Sequence, residues 1–283
     1  MSPGADMFTP SCIFPDRLSQ SIYACVIDIS DGFLFSDEVE LTPLPTEPVE
    51  KQLSTVLVRR HYLGTWNDLD CVLYVVNRRR DADWRDRTRA YGLRELFDMW
   101  DSDIWVVAGY AWQIFEWDRN FRYCGRCGVE TAIVSEERAR KCAACGLVSY
   151  PRISPSMIVL VQKDDQILLA RNARFPRPFY SILAGFMEPG ETLHECVARE
   201  VYEEVKLKVQ NIHFYDSQYW PMSGSLMLGC FAEYASGEIQ IDETEIRHAA
   251  WFNVNALPPI PSKRSIAGKM IDLFIRRQRG EKH

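Results

Sequence analysis

The chain has 283 residues, of which 47% are apolar and 25% are charged, and its formal net charge is −6. These values are typical of a globular protein with one or two domains, and the acidic balance argues against a general nucleic-acid coat. No apolar run approaches the length of a membrane span, and the N-terminus lacks the pattern of a secretory signal. We therefore expect a cytoplasmic protein with no membrane partner.

Residues 1–119 are interpreted as an N-terminal mixed α/β domain without an evident catalytic constellation. Runs of strand-forming residues predict strands at 55–59 and 71–76. A short helix is predicted at 94–99, and apolar residues at helical spacing predict another at 106–118. We find no internal repeat in the sequence.

Residues 120–150 form a compact cysteine module. Two Cys-x2-Cys pairs, Cys124/Cys127 and Cys142/Cys145, are each followed by a glycine that lets the backbone turn. Four thiolates suit a tetrahedral Zn²⁺ ion and leave no open position, which predicts a structural zinc ribbon. A nucleic-acid-binding ribbon is the alternative, although the mixed charges between the pairs give a weak surface for phosphates. We interpret the other five cysteines as buried thiols.

Residues 151–283 show the alternation of an α/β domain. Strands are predicted at 157–161, 166–170, 211–216, 226–233 and 249–252, and helices at 192–205 and 262–278. In the first of these helices, Thr192 and Glu195 form a capping box at the start. Leu193, Val197 and Val201 form a stripe that can face a core.

The same helix carries a cluster of carboxylates. Glu200, Glu203 and Glu204 fall on one face, Glu191 precedes the helix, and Arg199 can pair with Glu203. Like charges this close favour divalent cations such as Mg²⁺ or Mn²⁺, which take oxygen ligands and bridge to phosphates. An exposed acidic face held by salt bridges explains the three glutamates equally well when they are considered alone.

The spacing of these residues resembles the Nudix box, Gly-x5-Glu-x7-Arg-Glu-U-x-Glu-Glu-x-Gly-U, where U is a bulky apolar residue. The matching residues are Gly185, Glu191, Arg199, Glu200, Val201, Glu203, Glu204 and Leu207. Lys206 stands where the family has glycine, at a helix end that favours a left-handed residue. The resemblance implies an α+β or α/β fold: a Nudix α/β/α sandwich preceded by a four-cysteine zinc ribbon and a smaller N-terminal mixed α/β domain.

The resemblance also assigns roles to these residues. It implies that Glu200, Glu203 and Glu204 are ligands of the catalytic metal, that Glu204 is a general base, and that Arg199 orients its neighbours. Glu191 becomes a supporting carboxylate. The resemblance divides the chain into an N-terminal domain (1–119), a zinc ribbon (120–150) and a Nudix hydrolase domain (151–283).

The architecture is similar to the NADH pyrophosphatase family over about residues 105–275. In that family the Nudix box is followed by a loop written SQPWPFPxS, and here the corresponding stretch is SQYWPMSGS at 217–225. Tyr219, Met222 and Ser223 depart from the pattern. The resemblance implies hydrolysis of the pyrophosphate of NAD(H) to nicotinamide mononucleotide and AMP, with removal of NAD caps from RNA as a further activity.

The resemblance further implies a homodimer and a set of substrate-binding residues. Glu245 would be an additional metal ligand, and Phe186 and Trp220 would stack on nicotinamide, with core packing as their alternative role. The implied substrate-binding residues are Arg94, Tyr150, Ala184, Phe186, Gln218, Tyr219, Trp220, Pro221, Met222, Ser223, Gly224, Ser225 and Ala267. Two other functions stay open: a Nudix hydrolase of ADP-ribose or a dinucleoside polyphosphate, and a non-catalytic zinc-ribbon nucleic-acid binder.

Overall fold

The computed structural model describes residues 8–30, 32–35, 41–100, 102–173 and 179–281. The chain divides into two compact units, Met1–Arg152 and Ile153–His283. Within the described ranges, no helix is both long enough and apolar enough to cross a membrane.

The first unit contains a mixed sheet with the strand order β1-β5-β6-β2-β3-β7, and β4 pairs with β2. The predicted strand at 71–76 and the predicted helices at 94–99 and 106–118 are confirmed, while the strand predicted at 55–59 begins at Leu57. Its elements are β1 (Thr9–Pro10), β2 (Ser21–Asp28), β3 (Gly32–Phe35), β4 (Pro43–Pro45), α1 (Thr46–Leu53), β5 (Leu57–Trp66), β6 (Leu69–Val76), a 3-10 turn (Arg78–Arg80), α2 (Ala82–Arg87), β7 (Arg89–Tyr91), α3 (Leu93–Met99) and α4 (Ser102–Asn120).

The cysteine module follows α4 within the same unit. Its three short strands, β8 (Thr131–Ile133), β9 (Arg140–Cys142) and β10 (Val148–Ser149), form a sheet of the order β10-β9-β8. All nine cysteines of the chain are free thiols, and Cys25, Cys71, Cys196 and Cys230 are buried as predicted. Cys12, the fifth cysteine outside the module, is only partly buried.

The second unit is a sheet covered by a helix on each face. The strand order is β14-β15-β11-β12-β16, and β13 pairs with β11. Its elements are β11 (Ser154–Lys163), β12 (Gln166–Asn172), β13 (Leu183–Phe186), α5 (Leu193–Val205), β14 (Lys208–Trp220), β15 (Ser225–Ser236), β16 (Ile246–Asn253) and α6 (Ile266–Gln278). Apolar residues alternate between the two faces along β11 and β12, which is why both faces can be covered.

Two hydrophobic cores hold this sandwich together. Val197 and Val201 of α5 pack with Met157 and Leu168 on one face of the sheet. Met270 and Phe274 of α6 pack with residues of the other face, such as Leu160 and Leu169. The expected α/β/α sandwich is therefore confirmed.

The two units share one connectivity, although the sequence shows no repeat. In the first unit the β5/β6 hairpin lies beside β2 through a parallel β6–β2 pair, and β2, β3 and β7 continue antiparallel. The β14/β15 hairpin, the parallel β15–β11 pair and the antiparallel strands β12 and β16 repeat this order. The sequence thus shows no repeat, whereas the structure contains one. Many different sequences satisfy the same alternation of buried and exposed positions, so the two units can share a fold without similar residues.

Helix α5 begins and ends as its sequence predicts. Thr192 Oγ1 accepts a hydrogen bond from Glu195 N, and the Glu195 carboxylate accepts one from Thr192 N at 2.8 Å. Lys206 adopts the left-handed conformation, with φ 59° and ψ 20°, that the usual glycine would adopt. The helix therefore ends in the ordinary way in spite of the lysine. The prediction for the last helix is wrong at its start, because α6 begins at Ile266 after the cap Ser265.

Candidate active site and zinc centre

The packing of α5 decides which of its carboxylates are buried. Because Val197 and Val201 face the core, the positions beside this stripe on the helix surface are buried to different extents. Glu204 is 5% exposed, the Glu200 side chain 13% and the Glu203 side chain 57%. The three glutamates therefore lie at graded depths, and a uniformly exposed acidic face is excluded.

Arg199 pairs with three carboxylates of the site. Its guanidinium donates to both oxygens of Glu191 at 2.5 and 2.9 Å, and to Glu200 and Glu203 at 2.9 Å each. It also donates to the carbonyl oxygen of Phe186 at 3.0 Å. The bond from Arg199 lowers the pKa of Glu191 to about 2. The sequence predicted the pair with Glu203 but missed the bidentate pair with Glu191.

Glu204 has a buried carboxylate oxygen without a partner among the described residues. Its Oε2 atom is buried and accepts no hydrogen bond from any described residue. Burial, followed by the charges of Glu200, Glu245 and Asp242, raises the pKa of Glu204 to about 8. Burial also raises the pKa of Glu200, together with the charges of Glu203 and Glu245, although Arg199 opposes the shift. The charge of Glu245 thus acts on both Glu200 and Glu204.

These residues fit the divalent cation that the box implies. The donors are all carboxylate oxygens, which suit hard cations, and a cation would compensate the unpartnered oxygen of Glu204. Among the described residues, only the four cysteines bring three or more ligand atoms within 4.8 Å of one another, so the glutamates are not gathered as closely. Arg199 pairs with two of these carboxylates, Glu200 and Glu203.

Gly185 makes room for Glu200. A Cβ atom at this position would lie 2.1 to 2.3 Å from the Glu200 carboxylate. We expect Gly185→Ala to displace that carboxylate and to weaken Mn²⁺ binding about tenfold, the usual scale for a disturbed ligand environment. Titration of Mn²⁺ measures the effect, and Gly125→Ala, whose Cβ would meet nothing within 4 Å, serves as the control. Equal affinities in the two variants would contradict this role of Gly185.

The stretch SQYWPMSGS is a hairpin rather than a loop, which corrects the prediction. Residues Ser217–Trp220 belong to β14 and Ser225 begins β15, so only Pro221–Gly224 form the turn. Trp220 pairs with Ser225 in the ladder, and Gly224 has a φ of +66°. The predicted strands at 211–216 and 226–233 were therefore too short at this end.

The residues of this hairpin differ in how deeply they are buried and in which groups they contact. Pro221 and Ser225 are buried, and Tyr219, Trp220 and Met222 are partly buried. Ser223 is exposed, and its hydroxyl lies 2.8 Å from that of Ser225. Gln218 donates to the carbonyl of Arg264 at 2.8 Å and accepts from the amide of Ile266 at 2.6 Å. Both ends of the Gln218 amide thus hold the beginning of α6.

The remaining predicted substrate residues lie at several places. Phe186 is 53% exposed, which excludes core packing, and Ala184 is exposed beside it on β13. Ala267 is buried in the core under α6. Arg94 is exposed on α3, and Tyr150 is exposed and donates its hydroxyl to Glu137 at 3.2 Å. Arg94 and Tyr150 belong to the first unit, and the other residues belong to the second.

The four cysteines of the ribbon form a metal-binding cluster. Their sulfur atoms lie within 4.8 Å of one another, and the Cys124–Cys145 and Cys127–Cys142 pairs are 3.5 Å apart. The backbone amides of Arg126 and Cys127 lower the pKa of Cys124 to about 6, which favours the thiolate that zinc binds. The predicted zinc centre therefore has its ligands in place.

A buried ion cluster at Asp118 ties the ribbon to the sheet of its own unit. Asp118, on α4, pairs with Arg59 of β5 at 2.8 Å and with Arg140 of β9. His61 lies 3.5 Å away, and Arg140 also donates to the hydroxyl and carbonyl oxygens of Thr131. Burial opposes ionisation of Asp118, but the bond from His61 and the two arginine charges lower its pKa. The sequence analysis missed this cluster.

Comparison with known proteins agrees with this arrangement. Three family models match in succession: the NADH pyrophosphatase-like rudimentary NUDIX domain at 29–117, the NADH pyrophosphatase zinc ribbon domain at 119–150 and the NUDIX domain at 151–274. The first of these matches lies on the unit that repeats the connectivity of the second. A Nudix hydrolase from Nitrosomonas europaea aligns with a TM-score of 0.50 and 22% identity, over 57% of this chain and 94% of that chain.

Two curated relatives are similar over most of their length. The NAD-capped RNA hydrolase NudC of Pseudomonas fluorescens Pf-5 is 46% identical over 253 residues, which cover 88% of each chain. The NudC protein of Pseudomonas putida F1 is 52% identical over 253 residues and 88% of each chain. By these similarities, and by the order of its three matched domains, the chain belongs to the NADH pyrophosphatase family of Nudix proteins.

Proposed function

We propose that this protein hydrolyses the pyrophosphate bond of NAD(H), giving nicotinamide mononucleotide and AMP, and that it also removes NAD caps from RNA. The observation that carries the proposal is the buried, unpartnered Glu204 carboxylate beside Glu200 in the Nudix helix. Relatives named NAD-capped RNA hydrolases support the choice of substrate. In the reaction, water adds to one phosphorus atom, the P–O bond to the bridging oxygen breaks, and the other phosphate leaves with that oxygen.

The residues of the site have different proposed roles in this reaction. Glu200, Glu203, Glu204 and Glu245 would hold Mg²⁺ or Mn²⁺. When bound, such a cation neutralises pyrophosphate charge and acidifies water. Glu204, the most buried of these carboxylates, is the candidate to accept the proton of the attacking water. Arg199 fixes the directions of Glu191, Glu200 and Glu203.

The substrate-contacting residues are part of the same proposal. Phe186 offers an exposed ring face for nicotinamide, and Trp220 offers a partly buried one. Ala184 and Ser223 are exposed and can contact substrate directly, whereas Gln218, Pro221, Ser225 and Ala267 shape the site from beneath. Arg94, Tyr150, Tyr219, Met222 and Gly224 complete the proposed set.

We also propose three domains (1–119, 120–150 and 151–283), a homodimer and a cytoplasmic location. The thiolate zinc cluster and the free cysteines suit a reducing compartment. Light scattering of the purified protein would measure its oligomeric state.

The function is tested by incubating the protein with NADH and either Mg²⁺ or Mn²⁺ and measuring AMP and nicotinamide mononucleotide. We expect stoichiometric formation of both products, and a 5′-monophosphate end on RNA that carried an NAD cap. Absence of AMP with both metals would refute the proposal. A higher kcat/KM for ADP-ribose or a dinucleoside polyphosphate would reassign the substrate while keeping the chemistry.

A further inference from the structure

An arginine without a partner lies on the α6-facing side of the second unit's sheet. Arg171, near the end of β12, is partly buried, and its Nε atom is buried without a hydrogen-bond acceptor. Its guanidinium makes no hydrogen bond or ion pair with any described residue. A buried donor of this kind is normally satisfied, so the unpartnered Nε points to an anion as the missing acceptor.

Arg171 lies in a row with two residues that can complete a binding site. It faces His248 across the β12–β16 ladder, and the Ala170–Ser181 bridge places Tyr180 opposite it on the other side. Directly opposed residues of antiparallel strands point to the same face. Tyr180 Oη lies 3.1 Å from His248 Nδ1, and the two rings meet edge to face at 5.7 Å.

The row places two nitrogen-bearing side chains, those of Arg171 and His248, on one face of the sheet. The contact with Tyr180 fixes the His248 ring, and His248 Nε2 has no partner among the described residues. The Tyr180 ring is in turn held by Phe252 at 5.3 Å. A guanidinium with a fixed imidazole beside it matches the oxygens of a phosphate, since arginine presents a planar fork of donors.

The row occupies the face on which we place the substrate. The alternation along β13 puts Ala184 and Phe186 on the side covered by α6, the side of Ile167 and Leu169 on β12, and Arg171 follows in the same alternation. Two residues beyond Arg171, Ala173 N donates to the carbonyl of Glu245 at 2.7 Å. Arg171 therefore lies two residues, or roughly 7 Å, along the chain from the point where Ala173 pairs with the backbone of Glu245.

NADH carries two phosphates, and both belong to the bond that is cleaved. A separate cation on the substrate face therefore suits a phosphate that NADH lacks. We propose that Arg171, with His248 held by Tyr180, binds a phosphate esterified to the ribose of the AMP half. In a capped RNA this group is the first 3′-phosphodiester, and in NADPH it is the 2′-phosphate. The proposal rests on the proposed function for its substrate.

The kinetic test compares NADH, NADPH and a short NAD-capped RNA as substrates. We expect Arg171→Gln to lower kcat/KM for a substrate with the additional phosphate about tenfold relative to NADH, mainly through KM. Arg247→Gln removes the same charge from the neighbouring exposed position, whose side chain points to the opposite face, and should change this ratio less than twofold. A loss with capped RNA alone assigns the site to the 3′-phosphodiester, and a loss with NADPH alone assigns it to the 2′-phosphate.

A binding measurement separates this inference from the proposed function, because it needs no turnover. Calorimetry should show that the wild-type protein binds adenosine 3′,5′-bisphosphate or 2′,5′-bisphosphate about tenfold more tightly than AMP, and that Arg171→Gln removes the difference. If the wild-type protein shows no such preference for either bisphosphate, or if Arg247→Gln removes it equally, the inference is wrong. If NADH is not cleaved while the preference persists, only the proposed function fails.

Discussion

Replacement of Glu204 by glutamine is expected to lower kcat on NADH about 10²- to 10⁴-fold, the range that a lost general base gives. Glutamine keeps the shape of the side chain but can neither accept a proton nor offer a charged ligand oxygen. Because Glu204 Oε2 lacks a hydrogen-bond partner among the described residues, the substitution breaks no hydrogen bond of that atom, and the loss reports on the carboxylate itself. Steady-state hydrolysis of NADH with saturating Mn²⁺ measures the loss.

The same substitution should stabilise the metal-free protein at alkaline pH. The pKa of Glu204 rises from the ordinary 4.5 to about 8, chiefly through burial. Between these values the folded state binds more protons than the unfolded state, so the free energy of unfolding falls as pH rises. At about 1.4 kcal/mol per pKa unit, the loss by pH 8 is on the order of several kcal/mol. Glutamine has no proton to lose, and Glu204→Gln should remove this part of the pH dependence.

A matched variant separates the buried carboxylate from a general change of charge. Glu238 is exposed, so Glu238→Gln should leave both hydrolysis and the pH dependence of unfolding as in the wild type. Denaturant unfolding at pH 5 and pH 8, with and without Mn²⁺, gives the comparison. Mn²⁺ should restore the stability of the wild-type protein at pH 8 and should have little effect on Glu204→Gln. If the free energy of unfolding depends on pH in the same way for Glu204→Gln and the wild type, Glu204 is not the group whose raised pKa causes that dependence.

The parts of the site that the sequence predicts are those set by local spacing. The Thr192 cap, the left-handed Lys206 and the Arg199–Glu203 pair each involve residues a few positions apart, so helix geometry alone places them. The four zinc ligands follow in the same way, because each Cys-x2-Cys turn fixes two of them. The Nudix box is itself a local pattern of this kind, since its residues lie between Gly185 and Leu207.

The features that the sequence could not show depend on contacts between distant segments. The Gln218 amide meets the backbone at Arg264 and Ile266, and no local pattern links a strand end to a helix 48 positions later. The graded burial of Glu200, Glu203 and Glu204 depends on where α5 settles against the sheet. The sequence predicts a loop at 217–225 because its proline, glycine and serines are turn residues. The strand pairing on either side of the turn depends on contacts with β15, which the local sequence does not show.

Loss of the ribbon zinc is expected to unfold the cysteine module and to destabilise the first unit. Structural zinc contributes about 10–16 kcal/mol of apparent binding free energy in small zinc modules, so Cys124→Ser should release the ion and the order it maintains. Arg140 lies on β9 with the ligand Cys142, and it would leave Asp118 when that strand unfolds. Removing one partner from a buried charge cluster costs about 3–5 kcal/mol. Zinc content and thermal unfolding of Cys124→Ser measure the two effects.

Two further variants locate the origin of the destabilisation. Arg140→Met should lower the melting temperature of the first unit while keeping zinc bound. It removes the ribbon arginine that pairs with Asp118 and leaves the four cysteines intact. Cys12→Ser changes a cysteine outside the cluster and should alter neither zinc content nor stability. If Cys124→Ser loses zinc but melts like the wild type, the ribbon and the sheet of the first unit unfold independently. In that case the Asp118 cluster, though buried, does not couple them.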